Sequence, residues 1–426
     1  MTTVAPDIAP ATEGQAAGTQ TLKVRADGAH RVISAEETVA RARRHFGPMG
    51  ITRVANITGL DCLGIPVVMV CRPNSRSLTM SQGKGVTIDA ARASGIMECI
   101  EQYHAERVTL PLKLGSWNDL RFSHSIVDVE RLPRTVESKF GPDTSLLWTC
   151  GVDLFTSRTK WVPFELVHTN YTLPFPTGTG CFVLSSNGLA SGNHELEAVV
   201  HGLCEVIERD AHCLFLHLSE DEQEKRRIDL STLDDGICVD ILGRYRAAGI
   251  DVGIWDITSD VGVATFRCVA VDADQQTLRA IPPMEGVGCH PVRGIALQRA
   301  LTEAAQSRLT FIAGARDDIL RTKYLSTQYD AVFDRVRRRL KHPGTGAFGQ
   351  VPSELNQSLE GDLSLILERL RGVGIDEVVA MNLTKPEFGI PVVRVVVPGL
   401  ETHIHVDGYV QGKRAMTVVH KRNALT

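Results

Sequence analysis

The sequence predicts an α+β fold in one large domain, from about residue 22 to residue 426. Three observations support this prediction. Strands and helices are mixed along the chain without the strict alternation that builds a doubly wound parallel sheet. Short β-branched segments are joined by glycine and aspartate turns, as in antiparallel strand pairs. One acidic helix occurs three times, and no flexible linker marks a boundary between domains.

The composition is that of an ordinary globular protein, with 43% apolar and 23% charged residues. A net charge of −4 does not favour general attraction to nucleic acid or to an anionic membrane. We find no apolar run of 18 residues and no signal peptide. The ten cysteines are scattered without metal-type spacing, which predicts reduced thiols and a cytoplasmic protein. Residues 1–21 lack apolar periodicity and are predicted to be a disordered tail.

The first elements follow from local patterns. Ser34 followed by Glu37 is a capping-box pattern, so a helix should begin there. The β-branched segments 50–59 and 65–71 predict a pair of strands. Gly83-Lys84-Gly85 predicts a turn that leads into the first acidic helix.

The remaining chain continues the mixed pattern. Strands are predicted at residues 145–153, 161–167, 251–257, 265–272, 377–382 and 391–398. Helices are predicted from residue 237, and at about 195–218, 292–312, 330–340 and 363–371. The segment 286–290, Gly-Val-Gly-Cys-His, is interpreted as a glycine turn with a buried cysteine in preference to a nucleophile loop. His403 and His405 should share one face of a strand, without zinc-type spacing.

The recurring acidic helix carries the main functional signal. In the first copy Ser94, Glu98 and Glu101 lie within about 60° of arc on one helix face. A shift of 107 residues places Glu98 and Glu101 on Glu205 and Glu208, and a further 98 residues leads to Glu303 and Gln306. The second copy also has Glu197 on the same face, with Arg209 at its edge and Asn193 one turn before Glu197.

Acidic helix faces are usually solvated, and this alternative applies to each helix taken alone. The threefold recurrence and the apolar residues around the acids favour a shared cavity instead. Unpaired carboxylates are costly to bury, so they would need hard divalent cations, and Mg²⁺ bound together with substrate phosphates meets that need. Arg31 and Lys84 lie near helix starts and suit the outer phosphates. The P-loop pattern is missing, so a nucleotide site here would have another design.

These motifs resemble those of the YcaO family, over about residues 30–401. They are Ser81-x-Gly-Lys-Gly85, Ser94-x-x-x-Glu98-x-x-Glu101, Ser186-Asn-Gly-Leu-Ala-x-Gly-Asn193, Glu197-Ala198, Glu205-x-x-Glu208-Arg209-Asp210, Glu303-Ala-x-Gln306-x-Arg308 and the segment from Arg394 to Glu401. The resemblance implies an ATP-binding fold unrelated to P-loops, in which Mg²⁺ lies between the acidic helices and the triphosphate.

The resemblance also implies roles for individual residues. The metal ligands would be Glu98, Glu101, Glu197, Glu205 and Glu208. The candidate nucleotide-binding residues are Arg31, Thr38, Lys84, Ser94, Asn193, Arg209, Glu303, Gln306, Arg308 and Arg394. Arg31 and Thr38 stand where the family has a lysine and a serine, and Gln102 stands where it often has an arginine.

The implied activity is ATP-dependent activation of a backbone amide in a ribosomally made peptide or protein. The chain lacks the Pro-x-Pro-x-Pro tail of azoline-forming members and resembles members that act with a TfuA partner to form thioamides. An azoline-forming cyclodehydratase and a non-catalytic scaffold homologue are the two alternatives. We also expect a homo-oligomer (a dimer), with neither nucleic acid nor membrane as a partner.

Overall fold

The computed structural model describes residues 20–26, 29–273, 281–316 and 329–425. The chain forms two compact units, each built from separate segments. The described part of the first unit comprises residues 20–23, 100–217 and 356–425, and that of the second unit comprises the remaining described residues between 24 and 99 and between 218 and 355. The predicted disordered tail lies outside the described residues except at positions 20 and 21, and the single domain stays a prediction.

The described residues form eleven α-helices. They are α1 (Ala35–Arg43), α2 (Phe46–Met49), α3 (Ile88–Ala105), α4 (Trp117–Leu120), α5 (Glu195–Leu216), α6 (Glu220–Lys225), α7 (Gly236–Ala247), α8 (Arg293–Ala313), α9 (Tyr329–Leu340), α10 (Leu359–Gly372) and α11 (Lys413–Leu425). Within the described ranges, none of these helices is both long enough and apolar enough to cross a membrane.

The described residues also form fourteen β-strands. They are β1 (Val24–Ala26), β2 (Ala29–Arg31), β3 (Arg53–Asn56), β4 (Val67–Cys71), β5 (Met80–Lys84), β6 (Leu112–Gly115), β7 (Leu146–Asp153), β8 (Thr159–Pro163), β9 (Leu189–Ser191), β10 (Ile250–Asp256), β11 (Thr265–Asp272), β12 (Met284–Cys289), β13 (Val379–Asn382) and β14 (Val392–Val396). The paired strands in these sheets run antiparallel, so the predicted α+β class is confirmed.

In the first unit, six strands form one sheet in the order β6-β7-β13-β14-β9, with β8 paired to β7. The long helix α5 packs against β14 and β9, and α10 packs against α5. In the second unit, β3-β4-β5 and β10-β11-β12 form two three-stranded sheets, and β1-β2 is a hairpin. Helix α8 packs against β12 and β11 and also contacts β5.

The recurrence predicted from the sequence is a structural repeat of a strand, a three-residue connection and a helix. Strand β5 ends at Lys84 and α3 begins at Ile88, while β9 ends at Ser191 and α5 begins at Glu195. Strand β12 ends at Cys289 and α8 begins at Arg293. The three helices therefore begin 107 and then 98 residues apart, which are the offsets found in the sequence. We call these units the three strand–helix repeats.

The predicted turn at Gly83-Lys84-Gly85 is wrong, because residues 80–84 form strand β5 and pair with β4. The predicted glycine turn in segment 286–290 is also wrong, because residues 284–289 form β12. In both strands the glycine has the same role, which is not that of a turn residue. A Cβ atom on Gly83 would lie 2.0 Å from the backbone nitrogen of Gly95 in α3, and one on Gly288 would lie 2.2 Å from the carbonyl oxygen of Ala296 in α8. The glycines allow a helix backbone to approach the strand directly.

Most other local predictions are confirmed. The Ser34 hydroxyl caps α1 by accepting a hydrogen bond from the backbone N–H of Glu37 at 3.2 Å. Nine of the ten cysteines are buried, as expected for residues that act as small apolar side chains. His403 and His405 are an exception, because they lie in a turn rather than on a strand, with the backbone N–H of His405 bonded to Nδ1 of His403.

We predict that Gly83→Ala destabilises the protein by at least about 3 kcal/mol, because the added methyl group would overlap the α3 backbone. Gly243→Ala in the exposed face of α7 is the matched control, since a Cβ there meets nothing within 4 Å. This control should be stabilised by about 0.5–1 kcal/mol through its higher helix propensity. Urea unfolding followed by circular dichroism measures both changes. Equal stability of the two variants would contradict the close strand–helix contact.

Candidate nucleotide and metal site

The acidic face of α5 lies inside the first unit. Glu197 and Glu208 are only 6% and 4% exposed, and Glu205 is half-buried. Glu197 accepts a hydrogen bond from Nδ2 of Asn193 at 3.3 Å, and Glu208 lies 3.9 Å from the guanidinium of Arg209. The interpretation of this face as solvated is therefore wrong for Glu197 and Glu208.

The last turns of α3 also belong to the first unit and carry Glu101. One oxygen of the Glu101 carboxylate accepts two hydrogen bonds from Ser191, from the backbone N–H at 2.8 Å and from the hydroxyl at 2.7 Å. Ser191 is the last residue of β9 and occupies the unspecified position of the motif that ends in Asn193. Sequence reasoning did not identify Ser191, because the family pattern does not specify a residue there.

Arg394 lies in the middle of β14, between Met381 of β13 and Leu189 of β9. Its side chain is 2% exposed, and Nη2 donates a hydrogen bond to the carbonyl oxygen of Ser185 at 2.8 Å. Nε and Nη1 have no hydrogen-bond partner among the described residues. Burial lowers the pKa of Arg394 to about 10, although the nearby Glu205 carboxylate opposes this shift. The guanidinium stays charged near neutral pH and retains unused donor capacity.

Sequence reasoning also missed His168, which follows β8 in a segment without a recognisable motif. The ring is 1% exposed. Burial is the main cause that lowers the pKa of His168 to about 4, and the positive charge of Arg394 is the second. His168 is therefore neutral at physiological pH. Its Nδ1 accepts a hydrogen bond from the backbone N–H of Asn170 at 3.1 Å.

In the second unit, the structure brings the first and third strand–helix repeats together. Nζ of Lys84, at the end of β5, lies 2.5 Å from the Glu303 carboxylate on α8. Nε2 of Gln306 donates to the carbonyl oxygen of Gln82 at 3.0 Å. The positive charge of Lys84 is thus compensated by a residue that the sequence placed in the same predicted site.

Arg308 is held differently from Arg394. It is 1% exposed and forms two hydrogen bonds to Asp61, at 2.9 and 3.2 Å, and an ion pair with Asp272 at 3.0 Å. Burial lowers the pKa of Arg308, but the hydrogen bonds and charges of the two aspartates outweigh burial and raise it. These contacts describe a buried structural ion pair, and the nucleotide role of Arg308 stays a prediction.

The remaining candidates lie in the second unit. Arg31 ends β2, and Thr38 is buried in α1, where its hydroxyl donates to the carbonyl oxygen of Ser34 at 2.9 Å. Ser94 and Glu98 are half-buried on α3. Their assignment to a nucleotide or metal stays a prediction.

The residues of the first unit fit Mg²⁺ that is bound through phosphates. In the described part of the chain, no three acidic, histidine or cysteine side chains are close enough to form a metal cage. Mg²⁺ is commonly held by one or two carboxylates together with waters and substrate phosphates, and Glu197, Glu205 and Glu208 offer such oxygens on one helix face. Arg394 has two buried donor atoms without a hydrogen-bond partner among the described residues, so it fits a phosphate group.

We predict that His168 makes the stability of the protein depend on pH. The folded pKa of about 4 lies below the unfolded value, so only the unfolded chain gains this proton between about pH 6.5 and pH 4. Wild type should therefore lose about 1–2 kcal/mol more unfolding free energy than His168→Gln on acidification from pH 6.5 to 5. Urea unfolding at several pH values measures the difference. Above pH 7.5, the unfolding free energies of wild type and His168→Gln should depend on pH in the same way. The same pH dependence between pH 6.5 and 5 would contradict a neutral, buried His168 ring.

Comparison with known protein families finds a match over about three quarters of the chain. Residues 82–401 match the family model described as YcaO cyclodehydratase, ATP- and Mg²⁺-binding. A protein of Rhizobium leguminosarum bv. trifolii, described as an uncharacterized protein in the tfuA 3′ region, is 34% identical over 393 residues. The alignment covers 91% of this chain and 93% of that protein.

Two solved structures have a similar fold. YcaO from Methanopyrus kandleri, bound with AMPPCP and Mg²⁺, has a TM-score of 0.70 at 24% identity, over 89% of this chain and 95% of that chain. A heterocyclase in complex with substrate and cofactor has a TM-score of 0.73 at 21% identity, over 93% of this chain. The match spans 55% of the heterocyclase. At these identities the likeness shows the fold.

Proposed function

Because the chain belongs to the YcaO family, whose members are described as ATP- and Mg²⁺-binding, we propose that it uses Mg·ATP to phosphorylate the oxygen of a peptide backbone amide. The observation that carries this proposal is the buried Arg394 beside the acidic face of α5. A buried cation with two donor atoms that have no partner in the described part of the chain is costly to keep unless it binds an anion. The carboxylates of α5 lie close to that cation. A bound divalent cation would balance their negative charge, and bound phosphates would balance the charge of Arg394.

The proposed work of these residues is charge neutralisation and positioning, which is most of what a protein contributes to phosphoryl transfer. Arg394 and Arg209 would neutralise charge on the transferred phosphoryl group, and Asn193 would orient a phosphate oxygen. Glu101, Glu197, Glu205 and Glu208, with Glu98, would hold Mg²⁺, whose role when bound is to neutralise charge on the triphosphate. The Ser191 hydrogen bonds would fix the Glu101 carboxylate, so that it need not reorient when substrate binds.

For the product we propose a thioamide, formed with a TfuA-like partner. Hydrosulfide adds to the amide carbonyl carbon, and the carbonyl oxygen then takes the γ-phosphoryl group and releases ADP. Loss of phosphate from the same carbon, together with loss of the S–H proton, leaves a carbon–sulfur double bond, so the amide oxygen ends in the phosphate. The tfuA-region position of the Rhizobium relative supports this choice of partner.

An azoline product is the second candidate, supported by the family description as a cyclodehydratase and by the heterocyclase fold. In that reaction the side chain of a neighbouring Cys, Ser or Thr would take the place of hydrosulfide. The activated oxygen would leave as phosphate in the same way, but the amide N–H proton would be lost and a carbon–nitrogen double bond would form instead of a carbon–sulfur double bond.

We predict that Glu205→Gln and Glu208→Gln each lower ATP turnover by at least about 100-fold, because a neutral amide is a poor ligand for Mg²⁺. Both variants should stay folded, as judged by circular dichroism. Glu368→Gln, on the exposed face of α10, is the matched control and should turn over ATP at the wild-type rate. Wild-type turnover by either α5 variant would show that the metal assignment is wrong. Failure of the wild-type protein to bind Mg·ATP in a calorimetric titration would favour the scaffold homologue.

The product is tested by mass spectrometry of a precursor peptide incubated with enzyme, the TfuA-like partner and ATP, with and without sulfide. Replacement of oxygen by sulfur adds about 16 Da and requires sulfide, whereas azoline formation removes about 18 Da without sulfide. We expect the gain. A loss of mass that does not depend on sulfide would establish the azoline product instead.

A further inference from the structure

Asp210 on α5 belongs to the same sequence motif as Glu208, but it binds another part of the chain. Its side chain is fully buried, and its two carboxylate oxygens accept hydrogen bonds from Nε and Nη2 of Arg414 in α11, at 2.8 and 2.9 Å. Oδ1 also accepts the backbone N–H of Glu401 at 3.0 Å. A bidentate pair between an arginine and a carboxylate fixes orientation as well as distance. Asp210 therefore fastens α5 to the C-terminal segment 401–425.

Glu401 fastens the start of α11 to the same place. One oxygen of its buried carboxylate accepts the backbone N–H of Ala415 at 2.9 Å. The other oxygen accepts the backbone N–H of Gly412 at 2.9 Å and the hydroxyl of Tyr409 at 2.5 Å. The first N–H groups of a helix have no partner within the helix and favour a negative charge beside them. The Glu401 carboxylate is therefore the cap of α11, a helix that lies beyond the residues matched by the family model.

The contacts of the C-terminal segment fall on one face of α5. The Tyr409 hydroxyl lies 3.2 Å from Sγ of Cys213, and Nη1 of Arg422 donates to the carbonyl oxygen of His217 at 3.2 Å. Asp210, Cys213 and His217 are spaced three and four residues apart, so they share one face of the helix. At 3.6 residues per turn, this face points about 160° away from the three α5 glutamates that are proposed to hold Mg²⁺. The C-terminal segment therefore binds the back of the helix whose front carries the acids.

The same segment also continues strand β14, which carries Arg394. This strand ends at Val396, five residues before Glu401, whose backbone N–H bonds Asp210. That hydrogen bond joins the chain with the proposed phosphate ligand to the helix with the proposed metal ligands. Such spacing matters for catalysis, because a displacement of about 1 Å from remote changes can lower an enzymatic rate about 100-fold.

We propose that Arg414 is a positioning residue for the metal site. Together with Asp210 and Glu401, it holds α5 in the rotation at which the glutamates on its opposite face bind Mg²⁺. Arg414 acts through α5 and not through the nucleotide. This inference rests on the proposed function, from which it takes the metal role of those glutamates. It adds that the C-terminal helix α11 sets the affinity of the site for Mg²⁺.

The test is isothermal titration of the full-length protein with AMPPNP at low and at high Mg²⁺ concentration. Arg414→Lys keeps the positive charge but loses the bidentate pair. The double variant Asp210→Asn, Arg414→Met removes both charges together. Neither variant leaves an unpaired buried charge, so both should stay folded. The matched control is Lys23→Met, Asp362→Asn, which removes another buried ion pair of the first unit, with an N–O distance of 2.6 Å.

At low Mg²⁺ we expect the Asp210→Asn, Arg414→Met variant to bind AMPPNP roughly tenfold more weakly than wild type, as is typical when the support of a metal ligand is removed. Arg414→Lys should lose less. The loss should shrink at high Mg²⁺, because a weakened metal site is then filled by mass action. A purely structural role would lower the unfolding temperature without this dependence on Mg²⁺. The control should lose stability and bind AMPPNP like wild type at both Mg²⁺ concentrations.

Three results would overturn the inference. They are wild-type affinity of the folded Asp210→Asn, Arg414→Met variant at low Mg²⁺, a loss that stays the same at high Mg²⁺, and an equal loss in the control. If the double variant at Asp210 and Arg414 does not fold, Arg414→Lys decides alone, and wild-type affinity at low Mg²⁺ then overturns the inference. If wild type itself does not bind AMPPNP at either Mg²⁺ concentration, the proposed function is wrong.

Discussion

The fold depends on the close approach of a strand and a helix in each of the three strand–helix repeats. A Cβ atom on Gly83 or Gly288 would overlap the following helix. In the second repeat, a Cβ atom on Gly202 of α5 would lie 3.5 Å from Cβ of Ala190 in β9. Because the backbones touch, each helix starts at a fixed distance and angle from the strand before it. Positions ten and thirteen residues into the helix are then fixed as well, about 15–20 Å along its axis. These positions carry Glu98 and Glu101 in the first repeat, Glu205 and Glu208 in the second, and Glu303 and Gln306 in the third.

The last residues of two of these strands contact acidic side chains on the helix of another repeat. Lys84, at the end of the first repeat's strand, pairs with Glu303 on the third repeat's helix. Ser191, at the end of the second repeat's strand, donates two hydrogen bonds to Glu101 on the first repeat's helix. In both cases a strand end of one repeat orients an acid of another. Contacts of this kind preorganise carboxylates before substrate arrives, which avoids reorientation during reaction.

The two buried arginines show how the fold divides stability and function. Arg308 is compensated by Asp61 and Asp272, so its charge contributes to a closed structural network. Arg394 donates a hydrogen bond to a carbonyl oxygen, and two of its nitrogens have no partner among the described residues. Burying such a charge lowers the stability of the free protein, and a bound anion would return that stability. Their sequence motifs suggested the same role for both arginines, and only their neighbours separate them.

The sequence by itself determined the periodic features of this protein, which are the offsets of the repeats, the acids that share a face of α5, and the α+β class. These follow from helical and strand spacing, which acts between residues close in the chain. Only the tertiary structure showed that Gly83 and Gly288 allow a helix backbone to pack directly against a strand. In the sequence, such a glycine has the same local pattern as a glycine in a turn. The tertiary structure also brought Ser191 and Glu101 together across 90 residues of chain. Such proximity depends on long-range packing, which leaves no periodic trace in the sequence.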